Sequence, residues 1–301
     1  MVAPGSDPSR ELVSLLAQAS VEISSRGHQL PELCDNFAPG TDVTITFLPG
    51  DHYQHNVATA VALRRAGFNP VPHIAAREMA SREALDDFLA RARGEADIKR
   101  VLLIAGDVAI ARGPFRSSHD IRASGLLEAH GFGSVSVAGH PEGHPFLDTP
   151  GSLAMLWAWS NWGRERGIHV DVVTQFCFER APILGFLDDL AMRGIALPVV
   201  VGLAGPASPA TLTKFALRCG IGNSMRALRV QIGRYGRLLT DTGPDEVVRG
   251  LLSAPRAATA QIAGFHLFPF GGLRKSSAWR RDFLDELHRQ QELPKLAAHL
   301  E

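Results

Sequence analysis

The chain has 301 residues, of which 45% are hydrophobic, and its 31 Lys plus Arg balance 31 Asp plus Glu. This length and apolar content suffice for a sizeable core, which excludes a disordered chain. Balanced charge without a basic stripe argues against a nucleic-acid partner, and no run approaches the ~18 uninterrupted apolar residues of a membrane helix. We therefore expect a globular protein that binds neither nucleic acid nor a membrane.

The cysteines and the N-terminus indicate the compartment. Cys34, Cys177 and Cys219 lie far apart, without metal-ligand or paired-redox spacing, and this predicts reduced thiols. The first ten residues are polar and contain no apolar signal core. We expect a cytoplasmic protein with an N-terminal segment over 1–18 and one domain over 19–301 that ends in a C-terminal helix. A homo-oligomer is compatible with the sequence.

Strand-like and helix-like segments alternate along the chain. Short runs of small and β-branched residues predict eight buried strands, at 21–24, 42–48, 70–75, 100–106, 134–139, 171–178, 197–202 and 263–268. Between them, apolar residues at helical spacing predict helices, at 56–66, 82–92, 119–130, 152–166, 181–193 and 209–218. Two further helical segments and no strand are expected between 220 and 263.

This alternation predicts the fold class. The strands recur at intervals of roughly 25 to 40 residues, which matches consecutive βα units. Polar residues follow nearly every strand, whereas a doubly wound open sheet would concentrate them at one switch point. We therefore predict an α/β fold, a single-domain (β/α)8 TIM barrel, with the open sheet as the competing architecture.

The carboxyl ends of barrel strands converge on one mouth, so polar residues at those ends form one candidate site. They are Glu22, Thr46, His73, Asp107, residues 140–144, Gln175, residues 202–206 and the stretch after His266.

Two of these strand ends carry a family resemblance. The sequence Gly-His-Pro-Glu-Gly-His-Pro at 139–145 resembles the Gly-Tyr-Pro-Glu-Gly-His-Pro of methylenetetrahydrofolate reductases. Val-Thr-Gln-Phe-Cys-Phe at 173–178 is similar to that family's Ile-Thr-Gln-Phe-Phe-Phe. Weaker similarities follow the same chain order, at 72–74, 103–107 and 264–268. The resemblance spans roughly residues 20 to 270.

The resemblance implies an oxidoreductase that interconverts 5,10-methylenetetrahydrofolate and 5-methyltetrahydrofolate with NADH or NADPH. Opening the folate ring to an iminium cation requires a proton donor and a nearby negative charge. Glu22 matches the family's general acid, and Asp107 matches its aspartate beside pterin and flavin. Gln175 has the donor and acceptor that suit a pterin edge. Arg274 is interpreted as replacing a substrate-binding arginine that the family has two residues earlier.

The same resemblance implies bound FAD. The family's flavin-lining positions correspond to Thr46, His73, Ala138, His140 and His144, and Arg164 falls near its phosphate-binding lysine. Two departures weaken this expectation: Ala105 replaces an arginine, and the loop 50–55 lacks the family's Gly/Ser/Arg-rich sequence. Loss of a charged contact to the diphosphate predicts weak FAD binding, or else a flavin-independent branch in which hydride passes directly from nicotinamide to folate.

Other function classes remain open at this point. His52, His55, His73, His140 and His144 suggest a zinc-dependent barrel hydrolase. Such barrels usually carry a His-x-His pair on the first strand and an aspartate on the last, and both are missing here, so no metal is expected. A folate-binding module without catalysis is disfavoured because both carboxylates of the candidate site are retained.

Overall fold

A computed structural model describes residues 8–26, 29–48, 50–144, 148–219 and 241–297. Its eight strands pair in chain order, every pair is parallel, and β8 closes on β1. The predicted (β/α)8 barrel is therefore confirmed, and the open doubly wound sheet is excluded.

The strands are short, as expected for a barrel wall. Their bounds are β1 Ser20–Ser24, β2 Asp42–Thr46, β3 Asn69–Ala75, β4 Arg100–Ile104, β5 Ser134–Gly139, β6 His169–Thr174, β7 Val199–Ala204 and β8 Ile262–Phe268.

Helices surround the barrel. Their bounds are α1 Pro8–Ala17, α2 Leu30–Asn36, α3 Tyr53–Arg65, α4 Arg82–Ala96, α5 Ser118–Ala123, α6 Leu126–Ala129, α7 Thr149–Arg166, α8 Arg180–Met192, α9 Pro209–Arg218, α10 Asp245–Leu252, α11 Arg256–Thr259 and α12 Leu273–Ala297. A 3-10 turn, Ala76–Glu78, follows β3.

Three predicted strands end earlier than expected. β2, β4 and β6 stop two to four residues short because the chain turns out of the sheet at these points. After β4, Gly106 adopts φ +91°, in the left-handed region that favours glycine. After β6, the Gln175 side-chain oxygen accepts a hydrogen bond from the Phe176 N–H, which a strand would direct to its neighbour. The polar strand ends thus belong to the loops above the barrel.

The prediction of one helix over 119–130 is wrong. Two short helices, α5 and α6, replace it because Gly125 adopts φ +72° between them. Two helical segments are expected between 220 and 263; residues 220–240 lie outside the described part of the chain, and the described remainder contains α10 and α11.

Side chains on each strand alternate between the barrel interior and the ring of helices. On β1, Val21 and Ile23 are buried in the hydrophobic core, whereas Glu22 between them lines a cavity at the barrel's carboxyl end. On β8, Leu267 joins that core and His266 lines the same cavity. Apolar contacts between strands and helices therefore hold the barrel together and leave polar groups inside it.

Helix α1, which lies within the predicted N-terminal segment 1–18, packs on the barrel. Leu12 and Leu16 of α1 are buried in the same core cluster as the barrel strands. Within the described ranges, no helix has the length and apolar character needed to cross a membrane.

Candidate active site

A cavity of about 220 Å³ opens at the carboxyl ends of the strands. Since all eight strands are parallel, their carboxyl ends share one mouth, and residues of β1 to β6 and of β8 line the cavity. Eight of the ten predicted site residues line it, namely Glu22, Thr46, His73, Asp107, Ala138, His140, His144 and Gln175.

Glu22 is the buried acid of this cavity. Its side chain on β1 is only 19% exposed, and burial raises the pKa of its carboxyl from 4.5 to about 8. A carboxyl in such surroundings keeps its proton because the ionised form would lose the solvation that water provides. At neutral pH Glu22 is therefore protonated and able to donate a proton.

His73 on β3 lies beside this acid, with its Nε2 3.6 Å from Glu22 Oε2. Burial lowers the pKa of His73 to about 4, and neither ring nitrogen has a hydrogen-bond partner among the described residues. Burial thus disfavours the charged form of both groups. The pair is a neutral acid beside a neutral imidazole, and it is not an ion pair at neutral pH.

His266 on β8 forms the floor of the cavity. Its Nδ1 lies 2.8 Å from Ser20 Oγ, and its Nε2 lies 3.5 Å from Thr44 Oγ1. Burial, together with the nearby His73 and Arg100, lowers the pKa of His266 to about 3. The imidazole is thus neutral, and its two hydroxyl contacts fix its orientation below Glu22.

Asp107 lies at the rim of the cavity, in the loop after β4. Its side chain is 61% exposed, and its Oδ2 lies 3.5 Å from Arg218 Nη2 at the end of α9. The rim carboxylate therefore faces water, in contrast to the buried acid on β1.

Gln175 immediately follows β6. Its N–H donates to the Gly139 carbonyl at 2.8 Å, and its side-chain oxygen accepts from the Phe176 N–H at 3.2 Å. The Cys219 thiol also lines the cavity, and burial raises its pKa to about 11. The two hydrogen bonds hold the amide at the cavity wall in one orientation.

The loop after β5 places two histidine rings together. The ring centroids of His140 and His144 are 4.6 Å apart, and their planes meet at 73°. Burial and His144 lower the pKa of His140 to about 4, while burial and Arg77 lower the pKa of His144. Both rings also line an adjoining lobe of about 280 Å³ that extends to Arg77 and Arg116. The cavity and the lobe therefore adjoin at these two histidines, and together they are referred to as the cleft.

The structure does not bring Arg164 to this cleft. Helix α7 starts at the carboxyl end of β5, and Arg164 lies in its last turn, about 22 Å along the helix and towards the barrel's amino end. Its exposed guanidinium donates to Asn161 Oδ1. The assignment of Arg164 to cofactor phosphates is therefore corrected, because sequence distance alone did not show at which end of the barrel it lies.

Arg274 and two of the predicted histidines also lie outside the cavity lining. Arg274 is exposed in the first turn of α12, where its backbone N–H donates to Glu32 Oε1 at 3.1 Å. His52 and His55 are exposed before and within α3. Arg274 thus lies beyond the cavity lining and does not take the substrate-binding place predicted for it.

An aromatic wall completes the cavity, and the sequence reasoning missed it. Of the five phenylalanines that line the cavity, four contact one another and form this wall, namely Phe176, Phe215, Phe268 and Phe270. Phe215 and Phe270 stack with centroids 4.2 Å apart and planes at 19°, and Phe270 also stacks with Phe268. The alternation of aromatic residues at 266, 268 and 270 could have indicated part of this wall. Phe215 belongs to α9, and no local sequence pattern indicates that its side chain lines the cavity.

The loop after β2 is organised around a buried carboxylate. The Asp51 side chain is 1% exposed and pairs with the Arg26 guanidinium of the loop after β1. Its Oδ2 also accepts from the Leu48 N–H at 2.8 Å and from Ser25 Oγ at 3.4 Å. The loop over 50–55 is therefore held by an ion pair to the loop after β1.

Within the described ranges, no three His, Cys, Asp or Glu side chains are placed to hold a metal ion together. A comparison of the chain with known protein-family models finds no match.

Proposed function

We propose that the protein is a methylenetetrahydrofolate reductase, which transfers hydride from NADH or NADPH to 5,10-methylenetetrahydrofolate. The protonated Glu22 inside the cleft carries this proposal. The reaction consumes one hydride and one proton and yields 5-methyltetrahydrofolate and the oxidised nicotinamide. Glu22 supplies that proton, since its raised pKa of about 8 keeps it protonated at the pH of the cell.

The surrounding residues suit a folate. Gln175 offers an oriented amide to the mixed donor and acceptor edge of a pterin. The carboxylate of Asp107 at the rim stabilises the positive charge that develops when the folate ring opens. The stacked Phe215 and Phe270 provide a flat apolar surface for a ligand ring. A proton donor, a polar edge and a stacking surface thus meet in one cavity.

We propose FAD as the hydride carrier. The five residues that the resemblance assigns to flavin all line one cavity, which supports this proposal, and the unpartnered ring nitrogens of His73 are available to hydrogen-bond a flavin edge. Arg77 and Arg116 in the adjoining lobe supply the positive charge that a diphosphate requires. When bound there, FAD would accept hydride from nicotinamide and deliver it to folate.

Direct transfer from nicotinamide to folate is the second candidate, and one observation favours it. Ala105 lines the cleft where an arginine would grip a diphosphate, and Arg164 lies towards the other end of the barrel. In that case the nicotinamide itself would lie in the cleft beside Glu22.

An activity assay with a spectrum separates these possibilities. We expect oxidation of NADH or NADPH that depends on methylenetetrahydrofolate. If FAD is the carrier, bands near ~450 nm appear in the purified protein, or added FAD restores the rate with saturation and raises Tm. A full rate without flavin and without a shift of Tm would establish direct transfer. Folate binding without nicotinamide oxidation would instead reveal a non-catalytic binding module, and absence of both would refute the proposal.

The proposed enzyme works in the cytoplasm, and its three cysteines are all unpaired thiols in the fold.

A further inference from the structure

A second cavity, of about 350 Å³, opens at the amino end of the barrel. Its wall is partly aliphatic, with Val71, Val173 and Val200 from the strands and Leu15 from α1. Barrel interiors are usually filled by bulky side chains, but Gly264 on β8 leaves this space open. The amino end of the barrel therefore contains room for a small molecule.

A charged cluster forms one side of this cavity. The guanidinium of Arg100 binds Asp42 through Nη2 and Asp171 Oδ2 through Nη1, the latter at 3.3 Å. His169 Nε2 lies 3.7 Å from Asp171 Oδ2. The Asp171 side chain is only 4% exposed, whereas those of Asp42 and His169 are 36% and 56% exposed. The cluster thus runs from the open mouth to a buried carboxylate.

Two charged atoms in this cluster are buried and lack a partner among the described residues. They are Asp171 Oδ1, an acceptor, and Arg100 Nε, a donor. Leaving buried polar atoms unsatisfied is costly, and more so for charged groups. Both residues line the cavity, and once their side chains rotate to turn these atoms towards it, a ligand that donates to the first atom and accepts from the second would satisfy both.

We propose that this cavity binds a free amino acid with an apolar side chain. Its ammonium group donates to Asp171 Oδ1, its carboxylate accepts from Arg100 Nε, and its side chain packs against Val71, Val173 and Val200. A plain anion would face Asp42 and Asp171, and a plain cation would leave Arg100 Nε unsatisfied. A zwitterion supplies both a donor for Asp171 Oδ1 and an acceptor for Arg100 Nε. The site lies at the opposite end of the barrel from Glu22, so its test does not depend on the proposed reaction.

Thermal unfolding with matched probes tests this proposal. The probes are L-valine, L-leucine and L-phenylalanine, each compared with its N-acetyl derivative, which lacks the ammonium, and its amide, which lacks the carboxylate. We expect a saturable rise in Tm for at least one free amino acid and none for its two derivatives.

Two variants locate the binding. Gly264→Leu fills the cavity without removing a charge, since a Cβ at residue 264 meets only Val200, at 3.6 Å. It should abolish the ligand-induced rise while leaving the Tm of the free protein undiminished. Asp171→Asn keeps the shape and removes the charge, and it should weaken binding about tenfold or more. Glu22→Gln, at the other end of the barrel, should bind as the wild type does.

Absence of a saturable rise with any free amino acid would overturn the proposal. So would an equal rise with the N-acetyl derivative, or a rise that persists in Gly264→Leu.

Discussion

The two ends of the barrel interior treat ionisable groups in opposite ways. At the carboxyl end, Glu22 and His73 lie 3.6 Å apart, and burial shifts both pKa values towards the neutral forms. At the amino end, Asp171 is buried even more deeply but contacts Arg100, which also binds Asp42. Burial alone does not decide the charge of a group, because a permanently charged partner can outweigh lost solvation. At the carboxyl end burial therefore favours a neutral acid, whereas at the amino end two carboxylates contact one guanidinium.

The largest effect is expected on the reaction rate when the protonated carboxyl of Glu22 is replaced. Glu22→Gln retains a hydrogen-bonding side chain but cannot donate a proton, so methylenetetrahydrofolate reduction should fall by ~10² to 10⁴ while folate binding is kept. Steady-state turnover and a separate folate-binding titration measure the two properties. Glu165→Gln, an exposed position on α7, is the matched control and should match the wild type. A Glu22→Gln enzyme with the wild-type rate would show that another group is the acid.

Removing the guanidinium from the ion-pair cluster at the amino end should lower the free energy of unfolding. Arg100→Met leaves Asp42 and Asp171 without their cation, and removing one partner of such a buried group costs about 3 kcal/mol of unfolding free energy. Urea unfolding at neutral pH measures the loss. Arg100→Met combined with Asp171→Asn should recover part of it, since the buried carboxylate charge is then gone. Equal stability of wild type and Arg100→Met would mean that the cluster does not hold its charges by pairing.

A pH series sharpens the comparison. The folded-state pKa of Glu22, about 8, exceeds its ordinary value of 4.5, so the folded protein retains a proton that the unfolded chain releases. Stability should therefore fall as pH rises from about 4.5 to 8. Glu22→Gln lacks this titration, so its stability should gain on that of the wild type as pH rises from about 4.5 to 8, by on the order of a few kcal/mol in total, with no pH-dependent difference below about pH 4.5. An unchanged difference across the series would indicate that Glu22 ionises normally.

The smallest effect is expected at the cavity wall. Gln175→Ala removes an oriented amide and should raise the folate dissociation constant about tenfold. Oxidation of nicotinamide by an artificial acceptor should not change. Gln18→Ala, at the opposite end of the barrel, serves as the control and should bind folate normally. Equal damage to both half-reactions would remove Gln175 from the pterin site.

The sequence predicts the barrel well because its evidence is local. Eight apolar runs at regular spacing suffice for the strands and their order, and the polar ends of those strands share one mouth in any parallel barrel. The positions of Glu22 and His73 in one cavity follow from this rule alone.

What the sequence cannot predict depends on geometry between distant segments. The opposite placement of Arg164 depends on how far along α7 it lies, and Phe215 reaches the aromatic wall only through the packing of α9. The protonation of Glu22 and the cluster around Arg100 likewise arise from contacts between strands far apart in the chain. Local patterns carry no record of such contacts.

The buried carboxylate of Asp51 has a mechanical consequence. By pairing with Arg26 and accepting from Ser25 and Leu48, it ties the loops after β1 and β2 to each other. Both loops follow strands whose ends line the cleft, at Glu22 and Thr46. Any movement that widens this side of the mouth must therefore move the two loops together or first break the ion pair between Arg26 and Asp51.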